Sequence, residues 1–116
     1  FPDLESQSVD YGIMEKADDI YTLAGNFGWD DVGSWLAVGR IKENNEDGNV
    51  VNGNVVTVNT KNCVIEGADK LIATVGLRDM IVVDTKDATL ISTKENAGEI
   101  KKVLASLREA GKNEYL

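Results

Sequence analysis

The sequence predicts a mixed α and β fold, and three observations support this prediction. Apolar residues between positions 6 and 20 recur at the spacing of one helix face. Between positions 50 and 92, five short β-prone runs recur about every eight to nine residues, with Gly- or Asp-rich turns between them. A final amphipathic run ends near Gly111, and glycine is typical of a helix C-terminus.

The first predicted helix covers residues 6–20. Its apolar stripe consists of Val9, Ile13, Ala17 and Ile20. Ser6 or Ser8 can cap its N-terminus, and a cap at Ser8 places Asp10 in the first turn, where the helix dipole favours a negative charge. Gly12 inside a helix costs about 1 kcal/mol relative to alanine, so we expect a close neighbour there.

A β-prone run at residues 20–23 follows and is halted by Ala24 and Gly25. Residues 34–41 then have the pattern of a short helix. Asp31 is well placed to cap this helix, and a capping role is as well supported as metal binding by the residues alone. The sequence therefore leaves both roles open for Asp31.

The second half of the chain is a series of short strands. The predicted runs are Val55–Val58, Cys63–Ile65, Leu71–Val75, Met80–Val83 and Ala88–Ile91. Their even spacing suits a meander, a small barrel or a β-helix. A polar, Asn/Gly-rich stretch at residues 42–53 precedes them, and we place a domain boundary there, dividing the chain into residues 1–46 and 47–116.

The last predicted helix begins at Asn96–Glu99, which resembles a capping box. Its apolar stripe consists of Ile100, Val103, Leu104 and Leu107. We expect this helix to cover the β segment or to form a dimer contact.

The composition bounds the function. With 20 acidic and 12 basic residues the formal charge is −8, which argues against nucleic acid or an anionic membrane as a partner. No histidine is present and Cys63 is the only cysteine, so the sequence predicts no intrachain disulfide, no His/Cys zinc site and a buried structural thiol. A cytoplasmic location is expected, because the sequence contains neither a signal peptide nor a membrane-spanning run.

The residue types that carry chemistry concentrate in Gly25–Trp35, read as Gly-Asn-Phe-Gly-Trp-Asp-Asp-Val-Gly-Ser-Trp. This stretch holds both tryptophans, three glycines and an Asp-Asp pair. Glycines allow a backbone to approach a ligand closely, and large rings are costly to leave in water. The carboxylate pair is either a turn with a helix cap or a site for a hard cation.

Several stretches together resemble bacterial mannose-1-phosphate guanylyltransferase, also called GDP-mannose pyrophosphorylase. They are Ser8–Ala17, Phe27–Trp35, Asp47–Val50, Gly76–Thr85 and Asp87–Ala88. The resemblance covers nearly the whole chain. It implies the end of a nucleotide-diphosphosugar transferase α/β domain, followed by a small left-handed β-helix-like domain and a C-terminal helix.

The resemblance also implies a reaction in which GTP and mannose 1-phosphate give GDP-mannose and diphosphate. Such a phosphoryl transfer depends on positioning and on charge neutralisation by Mg²⁺. The family's Asp-Val/Thr-Gly motif implies that Asp31 is one metal ligand. The implied positions near the sugar phosphate and those that shape the loop are Asp10, Glu15 and Lys16, and Gly28, Asp30 and Gly33.

The Gly-rich loop with Arg and Lys that holds GTP in this family has no counterpart in the sequence. Because the chain also begins at Phe1 rather than methionine, we expect an excised C-terminal fragment that is inactive alone and forms a homo-oligomer. Two alternatives stay open. One is a non-catalytic β-helix module for binding or oligomerisation, and the other is a sugar nucleotidyltransferase with another base or sugar.

Overall fold

A computed structural model describes residues 6–115 of the chain. The helices are α1 (Val9–Gly12), α2 (Trp35–Ile41) and α3 (Ile100–Glu109), with 3-10 turns at Met14–Lys16, Ala97–Glu99 and Asn113–Tyr115. The strands are β1 (Val50–Asn52), β2 (Val55–Val58), β3 (Val64–Glu66), β4 (Ile72–Val75), β5 (Met80–Asp84) and β6 (Thr89–Thr93). Within the part described, no helix is both long and apolar enough to cross a bilayer.

The strands form a β-helix-like coil. Odd-numbered strands stack in parallel as β1-β3-β5, while β2 and β4 form a second parallel sheet. A bridge between Lys61 and Arg78 marks a third side of the coil. Strand β6 turns back and pairs with β5 in antiparallel orientation, which ends the parallel stack. A meander would pair neighbouring strands antiparallel, so the parallel pairing of alternate strands selects the β-helix among the three predicted arrangements.

Successive turns of the coil differ in length at one corner. The turn from β1 to β2 uses residues 53–54, whereas the turn from β3 to β4 uses residues 67–71. The two sheets nevertheless stay in register, since Val50 aligns with Val64 and Val55 aligns with Ile72. The extra residues of the 67–71 turn therefore lie outside the aligned strands.

A second corner depends on left-handed backbone conformations. Gly48, Asn62 and Asp79 occupy equivalent positions in consecutive turns, with φ values of 74°, 52° and 54°. Asparagine and aspartate tolerate this region better than other side chains with a Cβ. The side-chain Nδ2 of Asn62 donates to Asp79 Oδ1, and Lys94 Nζ donates to Asn62 Oδ1 at 2.7 Å. Lys94 thereby ties the segment after β6 to the corner of the coil.

The interior of the coil is a small apolar core. Its buried members are Cys63, Ile65 and Val82. Side chains from the other two sides, including Val55, Ile72 and Leu77, pack against them. Cys63 is fully buried and unpaired, which confirms the prediction of a structural thiol.

The outer face of the β1-β3-β5 sheet is also buried, because α2 packs on it. This second core contains Val50, Val64, Ile81 and Val83, contacted by Trp35, Leu36 and Val38. The approach is close, since a Cβ on Gly39 would lie 3.1 Å from a methyl of Val64. A parallel sheet needs cover on both faces, and α2 supplies it. Helix α2, which lies before the predicted domain boundary, thus packs directly on the β domain.

One polar side chain spans two turns of the coil. Asn49 is buried, its Nδ2 donates to the Thr60 carbonyl at 2.7 Å, and its Oδ1 accepts from the Cys63 amide at 2.9 Å. Thr60 in turn contacts Thr74, with 3.0 Å between their hydroxyl oxygens. Buried polar groups need partners of this kind.

The prediction for residues 6–23 is wrong in its extent. Ser8 does cap α1, accepting from the Tyr11 amide at 3.3 Å, but the helix ends at Gly12 and only a 3-10 turn follows. No strand forms at residues 20–23, where Leu23 is 98% exposed. Short helices and isolated strands gain little without a surface to pack on, and the apolar side chains of Val9 and Ile13 are exposed.

Two caps and one strand also differ from prediction. Ser34, rather than Asp31, caps the confirmed helix α2, because Ser34 Oγ accepts from the Ala37 amide at 3.3 Å. Asn96 forms no side-chain cap; its own amide donates instead to Thr93 Oγ1 at 3.2 Å. Strand β1 lies inside the stretch predicted as a turn, because Val50 is buried in the outer core although the stretch around it is largely polar.

Candidate functional site

The candidate site is the segment before α2, residues 25–34, which has no regular secondary structure. Its aromatic residues are largely exposed: Phe27 at 80% and Trp29 at 76%. Trp35, the second tryptophan of the motif, is instead half-buried on the outer core. The motif therefore has one end fixed on the β domain and the other end open to solvent.

Asp31 holds a tight turn at the centre of this segment. Its Oδ1 accepts a hydrogen bond from the Gly33 amide at 3.2 Å, and the residue is exposed. This is a local side-chain to backbone turn of the kind that aspartate forms readily. A Cβ at Gly33 would lie 3.2 Å from the same oxygen, so glycine leaves room for the carboxylate.

Asp30 points elsewhere and pairs with Arg40 of α2. Arg40 Nε donates to Oδ2 at 3.0 Å, and Nη2 donates to Oδ1 at 2.6 Å. This bidentate geometry is the strong form of an Arg–carboxylate contact. The hydrogen bonds from Arg40 lower the pKa of Asp30, and the pKa of Arg40 is raised by Asp30 and, to a smaller extent, by the charge of Asp31. The guanidinium therefore lies near both carboxylates.

Gly28 supplies a bend that precedes the two carboxylates. Its φ of 67° lies in the left-handed region, where glycine has no steric penalty. The ring of Phe27 packs over Gly25, in the space that a Cβ would occupy. The loop thus curls on itself before it reaches Asp30.

The three predicted sugar-phosphate residues lie on the first helical segment. Asp10 is in α1, and Glu15 and Lys16 are in the 3-10 turn that follows; all three are exposed. Across residues 6–115, no hydrogen bond or ion pair joins their side chains to the Asp30–Asp31 loop. The structure therefore groups Asp30 and Asp31 with Arg40 but does not bring Asp10, Glu15 and Lys16 to them.

An apolar groove with a volume of about 590 Å³ lies beside the loop. Its lining comes from the end of the loop, from α2 and from the start of α3, including Val32, Trp35, Leu36, Ala97 and Ile100. The apolar stripe of α3 continues from this groove, and Val103 and Leu104 on it are about half exposed. The groove and stripe leave apolar surface beside the candidate site.

The carboxylates of the loop can be compared with the ligands that Mg²⁺, the ion implied by the resemblance, requires. Residues 6–115 contain no group of three or more Asp, Glu, Cys or His side chains placed to hold a metal ion. Asp31 accepts one hydrogen bond and faces solvent, so it has acceptor capacity to spare, while both oxygens of Asp30 are engaged by Arg40. One carboxylate fits Mg²⁺, which usually takes one or two carboxylates together with substrate phosphates and water.

Arg40 is the residue that the sequence interpretation missed. It lies ten positions after Asp30, outside the three- and four-residue spacings that identify pairs on a helix. The available signal was its place near the end of α2, one residue after the glycine that contacts β3. An arginine there has its backbone fixed and its side chain able to reach back.

The chain is similar in sequence to a known domain family and to several enzymes. Residues 53–107 match the MannoseP isomerase/GMP-like beta-helix domain. Mannose-1-phosphate guanylyltransferase from Klebsiella pneumoniae is 36% identical over 115 residues, which is 99% of this chain and 24% of that protein. The enzyme of the same name from Escherichia coli K12 is 37% identical over 94% of this chain and 23% of its own length.

A solved structure agrees with these relatives. The crystal structure of mannose-1-phosphate geranyltransferase from Thermus thermophilus superposes with a TM-score of 0.77 and 34% identity, over 88% of this chain and 31% of that one. The chain spans about a quarter of the length of the curated relatives that it matches. Residues 53–107 are therefore similar to the MannoseP isomerase/GMP-like beta-helix domain, and the chain is similar over nearly its whole length to proteins named mannose-1-phosphate guanylyltransferase.

Proposed function

We propose that this chain is part of a mannose-1-phosphate guanylyltransferase, which forms GDP-mannose and diphosphate from GTP and mannose 1-phosphate. The observation that carries the proposal is the identity of 36–37% over 94–99% of the chain to enzymes of that name. The matched span includes the loop with Asp30 and Asp31 as well as the β-helix.

In this proposal Asp31 supplies one carboxylate to Mg²⁺. When bound, the ion neutralises phosphate charge during the transfer. The turn between Asp31 and Gly33 orients the carboxylate, and Gly33 keeps space for it. Lys16, exposed on its 3-10 turn, is a cation that can meet a phosphate, with Asp10 and Glu15 on the same short helical segment.

The β-helix supports the site in this proposal. Helix α2 packs on β3, and the loop that carries Asp31 leads directly into α2. We expect this chain alone to be inactive, since its sequence contains no Gly-rich loop with Arg and Lys to hold the triphosphate. We also propose that copies of the chain associate through exposed apolar side chains such as Tyr21 and Leu23, at 94% and 98% exposure.

The test is GDP-mannose formation by the full-length protein with GTP, mannose 1-phosphate and Mg²⁺. Asp31→Asn should lower the rate by at least about 100-fold, the upper range for groups that only support a metal ligand. Asp69→Asn, an exposed carboxylate in the turn between β3 and β4, is the matched control and should retain the wild-type rate.

Each alternative corresponds to a distinct result. Product from another nucleotide or sugar phosphate, but not from GTP and mannose 1-phosphate, would indicate a different sugar nucleotidyltransferase. No product from any pair would support a non-catalytic β-helix module. Equal activity of wild type and Asp31→Asn would leave Asp31 as a residue that only shapes the turn.

A further inference from the structure

The segment before α2 has few attachments to the rest of the molecule. Across residues 6–115, the Arg40–Asp30 pair is the only hydrogen-bonded or ionic link between residues 18–33 and the remainder of the chain. The other hydrogen bond within this segment is local, from Gly33 to Asp31. Apart from its covalent connection to α2 and the packing of its last residues, the loop is therefore tied to the rest of the described chain by one side chain of α2.

Arg40 is itself held by a rigid support. The preceding residue, Gly39, contacts β3 so closely that a Cβ would lie 3.1 Å from a methyl of Val64, and Val64 is fully buried. Ala37, one turn earlier on the same helix, is also fully buried. The backbone of Arg40 is thus fixed by packing on the sheet that both cores share, while its guanidinium reaches into solvent towards the loop.

The contact that Arg40 makes is directional. Two parallel N–H donors meet the two oxygens of Asp30 at 3.0 and 2.6 Å, which sets the orientation of the carboxylate as well as its distance. Lysine cannot reproduce this geometry, because it presents a single ammonium group. Since Asp31 directly follows Asp30 and turns back through Gly33, an oriented Asp30 restricts where the Asp31 carboxylate can lie.

We infer that Arg40 is a positioning residue for the metal-binding carboxylate, acting through Asp30 and transmitting the rigidity of the β-helix to Asp31. This inference rests on the proposed function. Arg40 does not contact substrate in this account. Arg40 instead lowers the Mg²⁺ concentration that the enzyme requires, because a carboxylate with a fixed orientation binds the ion more tightly than a mobile one.

The first measurement uses this chain and needs no catalysis. Heteronuclear NOE values of the Gly28 and Gly33 amides report loop motion on the picosecond to nanosecond timescale. They should fall in Arg40→Gln and in Asp30→Asn, fall less in Arg40→Lys, and stay at wild-type values in Arg108→Gln, an exposed arginine at the end of α3. The thermal midpoint monitors folding of each variant.

The second measurement uses the full-length enzyme. Arg40→Gln should raise the Mg²⁺ concentration for half-maximal rate by about 10- to 100-fold, with a smaller change in rate at saturating Mg²⁺. The Asp30→Asn/Arg40→Gln double variant should be no worse than either single variant, because both changes break one contact. A residue that only stabilises the fold would change the thermal midpoint without this shift.

The outcomes separate this inference from the proposed function. Unchanged NOE values in Arg40→Gln, or an unchanged Mg²⁺ requirement in an active enzyme, would overturn the positioning role and leave the proposed function intact. An inactive wild-type enzyme would refute the proposed function and this inference with it. Loss of loop order together with a higher Mg²⁺ requirement, both absent in Arg108→Gln, would establish the role.

Discussion

Replacing Asn49 by alanine should destabilise the β domain by about 3 kcal/mol. The side chain is buried and satisfies two backbone groups of the neighbouring turn, the Thr60 carbonyl at 2.7 Å and the Cys63 amide at 2.9 Å. Each buried group left without a partner costs about 1–3 kcal/mol, so two such groups bound the loss at about 2–6 kcal/mol. Water entering the vacated space would reduce this cost, which favours the lower half of the range.

Urea unfolding followed by tryptophan fluorescence measures the effect, because Trp35 packs on the outer core. With m-values of about 1–3 kcal/mol/M, a loss of about 3 kcal/mol lowers the midpoint by roughly 1–3 M. Asn26→Ala is the matched control, since Asn26 is exposed and forms no hydrogen bond among the described residues. It should change stability by no more than about 0.5 kcal/mol.

Aspartate at position 49 refines the test. Asn49→Asp keeps an acceptor for the Cys63 amide but turns a second lone-pair oxygen towards the Thr60 carbonyl, and it buries a charge. The loss of unfolding free energy in Asn49→Asp relative to wild type should become smaller as the pH falls. A protonated carboxyl group can donate a hydrogen bond to the Thr60 carbonyl, as the asparagine side chain does. A loss below about 1 kcal/mol in Asn49→Ala, or a deficit in Asn49→Asp that grows on acidification, would refute the reasoning.

Two further predictions concern the loop and the exposed surface. Arg40 lowers the pKa of Asp30, so the stability that the pair contributes is present above the ordinary aspartate value of about 3.9 and is lost as pH falls through the lower folded value. Carbon-13 NMR of the Asp30 carboxyl should show this lowered titration, and a value at or above about 3.9 would contradict it. Static light scattering at micromolar concentration should give at least twice the 12.6 kDa of one chain; a mass of one chain would rule out self-association under those conditions.

The sequence allowed strands β2 to β6 and the last helix to be predicted because their signals are local. Val55–Val58 was predicted with its observed bounds, and α3 ends at Glu109, two residues before Gly111, whose φ is 70°. The choice of a β-helix over a meander came from the family resemblance, which the relatives confirm. Spacing alone could not make that choice, since it records how far apart strands are but not which strands pair.

The errors fall where long-range packing decides the structure. Residues 6–20 have a helical apolar stripe, but nothing in the described chain covers it, and α1 is only one turn long. Strand β1 was missed because its neighbours are polar, although Val50 is buried by α2. In the site, local rules located the Asp31 turn, whereas the link from Asp30 to Arg40 spans ten residues and depends on where α2 packs.

The unequal turns of the coil have a consequence for how this domain can change over evolution. Residues 67–71 replace the two residues at 53–54 without shifting the stacked rows, so this corner absorbs differences in chain length. The shorter turn has no such freedom, because a Cβ at Gly53 would lie 2.5 Å from the Gly67 carbonyl oxygen. Insertions and grafted recognition peptides should therefore be accommodated around Asp69, while the turn at Gly53 should resist even a single methyl group.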